Sequence, residues 1–377
     1  MRFAGKEKKR MRVTFPHLGN AYIAIEALLQ GLGHEPVTPP LSTKRTIEWG
    51  SRYSPEDICL PFKTILGNML EGIELGADSV YMLGGWGPCR LGYYAEIQRI
   101  ILLDLGKQVE FVTLEVPRGN WGLARERLRS IFGSARIRHL FRGCQLAWAK
   151  LSVLEEVENL SLQARPREKE RGSVSRFLEG QLQKIRLAQS VKTLRELKEE
   201  TEAGLQDLMD RVSSHAVLRV GIVGEIYTVV EPFVNLRLEE RLGSLGVEAV
   251  RTISLKEWIE DHVFKNALGL YNQNSLLRSA AGYLHSFVGG HGLESVARSA
   301  ELSGCLDGII HIYPLACMPE IMAHGILPQV SADKQIPILS LVVDEHAGET
   351  GFQTRLEAFV DLLQRRIYQC QDGRKYI

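Results

Sequence analysis

The chain has 377 residues and a formal net charge of +1 at pH 7. This length predicts two or three domains, and the nearly neutral charge argues against a dedicated nucleic-acid-binding protein, whose domains are strongly basic. The basic stretch 1–10 is not followed by the apolar segment of a secretory signal, and no apolar run approaches the ~20 residues that span a bilayer. We therefore expect a cytoplasmic protein that binds small molecules or other proteins, and neither nucleic acid nor membrane.

The first 120 residues alternate between short apolar runs and helical patterns, which is the order of βαβ units with parallel strands and right-handed crossovers. We therefore predict an N-terminal α/β domain at 1–120, whose working surface is the crevice at the carboxyl ends of its strands. The predicted strands are 11–16, 33–37, 79–83 and 109–114, and the predicted helices are 21–32, 60–75 and 91–105.

Residues 121–215 have no β-rich run and predict a helical segment, with a charged interruption at 163–172. Basic residues are concentrated in the first half of this segment. They indicate either a solvated helix face or a docking surface for an acidic partner or an anionic cofactor tail. These residues are Arg125, Arg127, Arg129, Arg136, Arg138, Arg142 and Lys150.

A second α/β domain is predicted at 216–377. The complete prediction is an α/β fold of two Rossmann-like open parallel-sheet domains with a helical insertion between them. In the C-terminal domain the predicted strands are 217–223, 247–254, 308–313 and 336–344. The predicted helices are 229–242, 255–281, 293–303, one that opens at Cys317, and 354–367.

Three of the six cysteines share one local pattern, at the start of a predicted helix. Cys89 follows a strand and a glycine-rich turn, and Cys317 follows a strand and precedes Pro319. Cys59 opens the helix 60–75, with Asp57 as a plausible N-cap. A helix N-terminus favours a thiolate or an anionic cluster. One such cysteine can be a small buried hydrophobe, but three together favour a shared ligand.

The three cysteines are far apart in sequence and do not form the CxxC pairs of a local zinc site. Two lie in the first domain and one in the second, so a bound metal would sit in the crevice between the domains. Thiolates at helix N-termini favour an iron–sulfur cluster, and three ligands would leave one iron open. Cys144 has no turn beside it and is interpreted as structural.

Other residues near predicted strand ends have two interpretations each. Glu225 is a candidate acid, base or ligand contact, or a carboxylate that caps the next helix. His291, in the turn GGHG, could approach a phosphate or thioester. Lys63 could offset the charge of a cluster, although exposure to solvent is the more common state of a lysine. Tyr227, His17, Asn20 and Trp86 are weaker candidates of the same kind.

Six segments resemble the subunits of the 2-hydroxyacyl-CoA dehydratase family. They are more closely similar to its branch labelled acyl-CoA dehydratase activase-related, or CoA protein activase. The resemblance covers most of the chain except the basic N-terminal tail and the middle helices. It implies one [4Fe-4S] cluster bound by Cys59, Cys89 and Cys317. The segments are CLPFK, GGWGPCRLGYY, GIVGEIY, GGHGLESV, DGIIHIYPLACMPEI and DEHAGETGFQTRLEAFVD.

The resemblance also implies a reaction. In the dehydratases, an ATP-driven activator with its own cluster injects one electron, and a ketyl radical on the CoA thioester then allows water to be eliminated. This sequence has no G-x-x-x-x-G-K-[ST] loop, so ATP hydrolysis would belong to the activator. The dehydratases also work as two unlike subunits, which implies a second dehydratase-like partner. Related double-cubane reductases carry additional cluster cysteines, for which Cys305 is the candidate here.

Three interpretations remain open. The chain is a lyase or reductase component acting on an acyl-CoA or other small substrate, or it is a non-catalytic iron–sulfur electron carrier or scaffold that docks an activator-like ATPase. The third interpretation keeps the α/β fold with reduced structural cysteines and no metal. A substrate-sized apolar cavity touching the open iron would favour the enzyme.

Overall fold

A computed structural model of the chain describes residues 10–84, 89–114, 137–210, 217–261 and 274–371. These residues form two four-stranded sheets in which every paired strand is parallel. The two parallel sheets confirm the α/β class. The first sheet contains β1 (Arg12–Thr14), β2 (Glu35–Pro36), β3 (Ser79–Leu83) and β4 (Glu110–Leu114), and the second contains β5 (Leu218–Gly224), β6 (Val247–Arg251), β7 (Gly308–Pro314) and β8 (Ile338–Val343).

Both sheets have the same strand order. It is β2-β1-β3-β4 in the first and β6-β5-β7-β8 in the second, so β3 and β7 occupy equivalent places. In each sheet the order reverses beside the first strand, and such a reversal opens a crevice at the carboxyl ends of parallel strands. The segments that follow β3 and β7 therefore start from the same position in their sheets.

The helices of the first half agree with the predictions within two residues at each end, except for one that the sequence pattern did not predict. This helix, α2, follows two prolines and has a capping box between Thr43 and Thr46. It is a polar helix whose short buried face packs on α3, which explains the missing apolar period. The helices are α1 (Tyr22–Gly31), α2 (Lys44–Tyr53), α3 (Leu60–Glu74) and α4 (Leu91–Asp104).

Between the two sheets along the chain, the described residues form three helices, α5 (Ile137–Ala164), α6 (Ser173–Leu187) and α7 (Val191–Leu208). The predicted charged interruption is present as a 3-10 turn at Arg165–Arg167 and a left-handed Gly172. The predicted boundaries at 120 and 215 lie outside the described residues, as do Arg125, Arg127, Arg129 and Arg136.

Lys150 does not belong to a solvated or docking face of α5. Its side chain is buried, its Nζ donates to the Arg186 carbonyl at 2.6 Å, and burial lowers its pKa. Arg138 and Arg142 on the same helix are exposed. The prediction of a basic surface is therefore wrong for Lys150, because α6 covers that side of α5.

The predicted helix 229–242 is wrong. Two short helices replace it, and Pro232, which has no N–H to donate, lies between them. Leu236 and Arg237 adopt left-handed φ values of 54° and 55° there. The last helix begins at Glu349, earlier than predicted. The helices of this half are α8 (Ile226–Val230), α9 (Leu238–Ser244), α10 (Leu255–Ile259), α11 (Asn274–Ala280), α12 (Gly292–Leu302), α13 (Met318–Lys334) and α14 (Glu349–Gln371).

The two halves share one apolar core and are also tied by polar contacts. Phe62 and Leu66 of α3 belong to the same buried cluster as Ile222 and Ile310 of the second sheet. The helix α5 connects both halves, because the Glu158 carboxylate accepts from Asn20 and pairs with Arg251, each at 2.7 Å. No helix in the described ranges combines the length and apolarity needed to cross a membrane.

The crossing of α1 and α5 depends on two glycines. A Cβ at Gly143 would lie 2.4 Å from the Gly31 Cα. Gly143→Ala should therefore force the helices apart and lower the free energy of unfolding by about 1–3 kcal/mol in urea denaturation. In the control Gly180→Ala, where no atom lies within 4 Å of the added methyl, the free energy should rise by about 0.5–1 kcal/mol. Equal effects of the two substitutions would contradict the close crossing.

A carboxyl group between the two halves should make stability depend on pH. Glu231 accepts from the Gly19 amide at 3.0 Å, and burial raises the pKa of its carboxyl to about 7. Between the unfolded pKa, about 4.3, and this value the folded chain binds more protons than the unfolded chain, so stability falls as pH rises.

Glu231→Gln keeps a neutral acceptor and removes this titration. Between pH 5 and pH 8, the free energy of unfolding of the variant should therefore fall by roughly 2–3 kcal/mol less than that of the native chain, as measured by urea unfolding. The exposed substitution Glu179→Gln is the control and should leave the profile unchanged. Parallel profiles for the native chain and Glu231→Gln would show that Glu231 titrates normally.

Candidate functional site

The three predicted cysteines all lie at helix starts. Cys59 is the N-cap of α3 and Cys317 is the N-cap of α13, and each helix has a proline in its first turn. Cys89 lies two residues before α4. The N-cap of α3 is therefore Cys59, and the prediction of Asp57 as the N-cap is wrong. Cys59 and Cys317 are buried, whereas Cys89 is partly exposed.

The Arg90 side chain joins the three cysteine segments. Its guanidinium donates to the Asp57 carbonyl at 2.8 Å and to the Ala316 carbonyl at 3.1 Å. Arg90 follows Cys89 directly, and the two carbonyls lie just before Cys59 and Cys317. One guanidinium can make these contacts because it carries five N–H donors in a fixed plane. The sequence did not single out Arg90, because its acceptors are main-chain atoms that only the fold brings together.

The segment before Cys317 is locally strained. Ala316, whose carbonyl accepts from Arg90, adopts a left-handed φ of 64°. For a residue with a Cβ this conformation costs about 1–2 kcal/mol. Strain of this kind persists where surrounding contacts hold it, and it is concentrated at functional sites.

The glycine-rich turn 289–292 packs against the cysteine segments. A Cβ at Gly290 would lie 3.7 Å from the Cys89 sulfur, and a Cβ at Gly292 would lie 2.3 Å from the Pro319 carbonyl oxygen. Only glycine allows the second approach. The candidate His291 lies between these glycines, at the N-cap position of α12.

The three thiols lie in one electrostatic environment. Burial, together with the negative charge of Glu225, raises the pKa of Cys59 to about 11. Burial also raises the pKa of Cys317 and of Cys89; charges on Glu225 and Glu320 add to both shifts, and the charge of Cys59 adds to that of Cys317. At neutral pH the thiols are therefore protonated. A metal would displace their protons by supplying positive charge.

Polar groups beside the three sulfurs favour their charged form. The Leu91 amide opposes the rise in the pKa of Cys89, and the Glu320 amide opposes the rise in the pKa of Cys317, as expected at helix N-termini. Cys59 hydrogen-bonds to the hydroxyl of Tyr94, which is 3% exposed. Sequence reasoning missed Tyr94, although the residue is in the helix that follows Cys89.

Glu225 caps α8, as one of its two interpretations proposed. Its carboxylate accepts from the Tyr227 amide at 3.0 Å and from the Thr228 amide and hydroxyl at 2.8 Å. Burial raises the pKa of this carboxyl group. Its negative charge acts on all three cysteines, so the side chain belongs to the site even though its hydrogen bonds are those of a cap.

Lys63 is not exposed to solvent. It is 4% exposed, and its Nζ pairs with Glu345 at 2.5 Å across the two halves. His17 and Asn20 also have structural partners, since His17 is buried against the Pro39 carbonyl at 2.7 Å and Asn20 donates to Glu158. Tyr227 is buried. Trp86 lies outside the described residues.

The described residues do not form a compact site for one metal ion. Across the described ranges, no three His, Cys, Asp or Glu side chains are grouped closely enough to hold one metal ion. A cluster separates its ligand sulfurs more widely than a single ion does, because iron and sulfide atoms lie between them. Cys144 and Cys305 are exposed and lie outside the group of Cys59, Cys89 and Cys317.

A cavity of about 360 Å³ lies away from Cys59, Cys89 and Cys317. It is lined by the C-terminal end of α1, by α5 and by the start of α7, with Gln30, Arg142 and Ser190 among its polar groups. Helix α1 starts near the carboxyl end of β1 and runs back along the sheet. Its C-terminal end therefore lies near the amino ends of the strands, on the side opposite the crevice. The cavity is therefore not the apolar substrate cavity that would favour an enzyme.

Comparison of the chain with models of protein families and with curated proteins finds no match. The functional assignment therefore depends on the residues of the site.

Removing the Arg90 bridge should loosen the cysteine segments. Arg90→Met loses two hydrogen bonds from a charged donor to carbonyls, so we expect the free energy of unfolding to fall by about 1–2 kcal/mol in urea denaturation under reducing conditions. The control is Arg99→Met on the same helix, which breaks only an exposed pair with Glu96 and should have little effect. A similar small loss in both variants would show that Arg90 does not hold the segments together.

Proposed function

We propose that the chain is a [4Fe-4S] protein of the 2-hydroxyacyl-CoA dehydratase type, with Cys59, Cys89 and Cys317 as the cluster ligands. One observation carries this proposal. Three cysteines that are distant in sequence lie at helix starts around a single arginine bridge, and a donor group acts on each sulfur: the Tyr94 hydroxyl on Cys59 and main-chain amides on Cys89 and Cys317. Packing alone would not require the same arrangement three times.

The residues of the chain would perform distinct tasks around such a group. The main-chain amides of Leu91 and Glu320 would stabilise negative charge on two ligand sulfurs, and Arg90 would hold the three ligand segments together while adding positive charge. The capped Glu225 would present a carboxylate near the ligands. When bound, the cluster would supply one-electron transfer and one iron position without a protein ligand.

Within this proposal the chain is a lyase or reductase component that takes one electron from an ATP-dependent activator and acts on an acyl-CoA or other small substrate. A second dehydratase-like subunit is part of the proposal. The alternative is a non-catalytic electron carrier or scaffold that docks the activator-like ATPase. Arg138 and Arg142 support that alternative, because both are exposed on α5 and have no carboxylate partner among the described residues.

The finer features of the fold belong to the same proposal. We take 1–120 and 216–377 as Rossmann-like domains and 121–215 as a helical insertion, since both sheets have one strand order and the described part of the chain between them is helical. We also propose a cytoplasmic location. The five described cysteines are all free thiols, which suits a reducing compartment.

The ligand assignment predicts the metal content of cysteine variants. After anaerobic purification, Cys59→Ala, Cys89→Ala and Cys317→Ala should each lose most of their iron and sulfide, because two ligands hold a cluster poorly. The EPR signal after one-electron reduction should fall with them. Cys144→Ala and Cys305→Ala are matched controls at exposed thiols and should keep the native content. If the native chain lacks iron, or if all five variants behave alike, the assignment is wrong.

A spectroscopic comparison separates the two roles. If the chain is an enzyme component, adding a 2-hydroxyacyl-CoA thioester should change the EPR spectrum of the reduced protein, because the substrate would bind beside the open iron. A carrier or scaffold should give the same spectrum with and without the thioester. In that case, the ATP-driven activator and the α5 variants Arg138→Glu and Arg142→Glu become the relevant probes.

A further inference from the structure

Tyr94 is a buried residue of the site that the proposed function does not yet use. It lies in the first turns of α4, and its hydroxyl hydrogen-bonds to the Cys59 sulfur. Its ring packs edge-on against Phe62 of α3, with ring centroids 5.0 Å apart and an interplanar angle of 89°. The ring is therefore fixed between the two helices, and the hydroxyl is fixed against the sulfur.

This contact differs from those at the other two sulfurs. Cys89 and Cys317 interact with main-chain amides, which are a general property of helix starts, whereas Cys59 interacts with a side chain. In the free protein either Tyr94 or Cys59 can donate. A cysteine bound to iron has lost its proton, so the hydrogen bond must then run from the Tyr94 O–H to the sulfur.

The direction of this hydrogen bond has a redox consequence. A donor to a ligand sulfur withdraws negative charge from it, and the reduced cluster carries one more negative charge than the oxidised cluster. The contact therefore stabilises the reduced state more than the oxidised one, and hydrogen bonds to sulfur are among the factors that set cluster potentials. Because the contact is buried, water cannot easily replace it.

We propose that Tyr94 is a positioning residue that raises the reduction potential of the cluster by donating its hydroxyl hydrogen to the Cys59 sulfur. This inference rests on the proposed function. It concerns the side chain that raises the reduction potential of the cluster, whereas the ligand proposal concerns only which cysteines bind iron.

The test compares Tyr94→Phe with a matched control. Tyr81 is also a buried tyrosine of the first half, at 4% exposure, and its hydroxyl bonds to His34 at 3.2 Å and not to a cysteine. Both substitutions remove one buried hydroxyl and keep the ring. Each full-length variant would be purified anaerobically, assayed for iron and sulfide, and titrated potentiometrically with EPR detection.

We expect Tyr94→Phe to keep the native iron content and to have a more negative midpoint potential than the native chain, with Tyr81→Phe unchanged. Replacing Tyr94 with 3-fluorotyrosine, a more acidic donor, should move the potential in the opposite direction. An unchanged or more positive potential in Tyr94→Phe would overturn the inference.

Loss of iron from Tyr94→Phe but not from Tyr81→Phe would also overturn the inference, since the hydroxyl would then be needed for assembly and not for tuning. Iron missing from the native chain would refute the proposed function itself. The iron assay on the native chain therefore separates the two failures.

Discussion

The site depends on the bridge that Arg90 makes between two carbonyls. Cys59, Cys89 and Cys317 come from three different segments. Arg90 follows Cys89 directly in the chain, and its guanidinium contacts the segments just before Cys59 and Cys317. This contact lies across the two halves of the chain, at the point where Ala316 is held in a left-handed conformation. A charged donor that satisfies two carbonyls provides a directional tie that apolar packing alone does not provide.

Two sets of groups act in opposite directions on the protonation of the three thiols. Cys59 and Cys317 are buried and Cys89 is partly buried, and the charge of Glu225 acts on all three, so their protonated form is favoured when nothing is bound. The amide, hydroxyl and guanidinium groups around them favour the charged form. The thiols are neutral when nothing is bound, yet hydrogen-bond donors surround them. Such an arrangement suits a ligand that supplies positive charge. If these cysteines served only in packing, burying donors and carboxylates beside them would cost free energy without any benefit.

Polar ties between the halves surround the shared apolar core. Lys63 pairs with Glu345, Glu231 accepts from Gly19, and Glu158 contacts both Asn20 and Arg251. Each tie joins residues more than 90 positions apart. Apolar contact can be repacked at modest cost, whereas a buried polar group that loses its partner is strongly destabilising. These ties therefore fix one relative position of the two sheets, on which the convergence of the three cysteines depends.

The sequence by itself determined the parallel α/β class, most element positions and the place of Cys59, Cys89 and Cys317 at helix starts. These follow from local periodicity, turn residues and prolines, which act over a few neighbouring residues. It failed where the outcome depended on distant neighbours: the polar helix α2 and the burial of Lys63 and Lys150. The break at Pro232 is a local effect that the apolar period of 229–242 concealed. Only the tertiary structure decided that Arg90 joins the cysteine segments and that Tyr94 contacts Cys59. Carbonyl and hydroxyl contacts between distant segments leave no local pattern, because the backbone acceptor is the same in every residue.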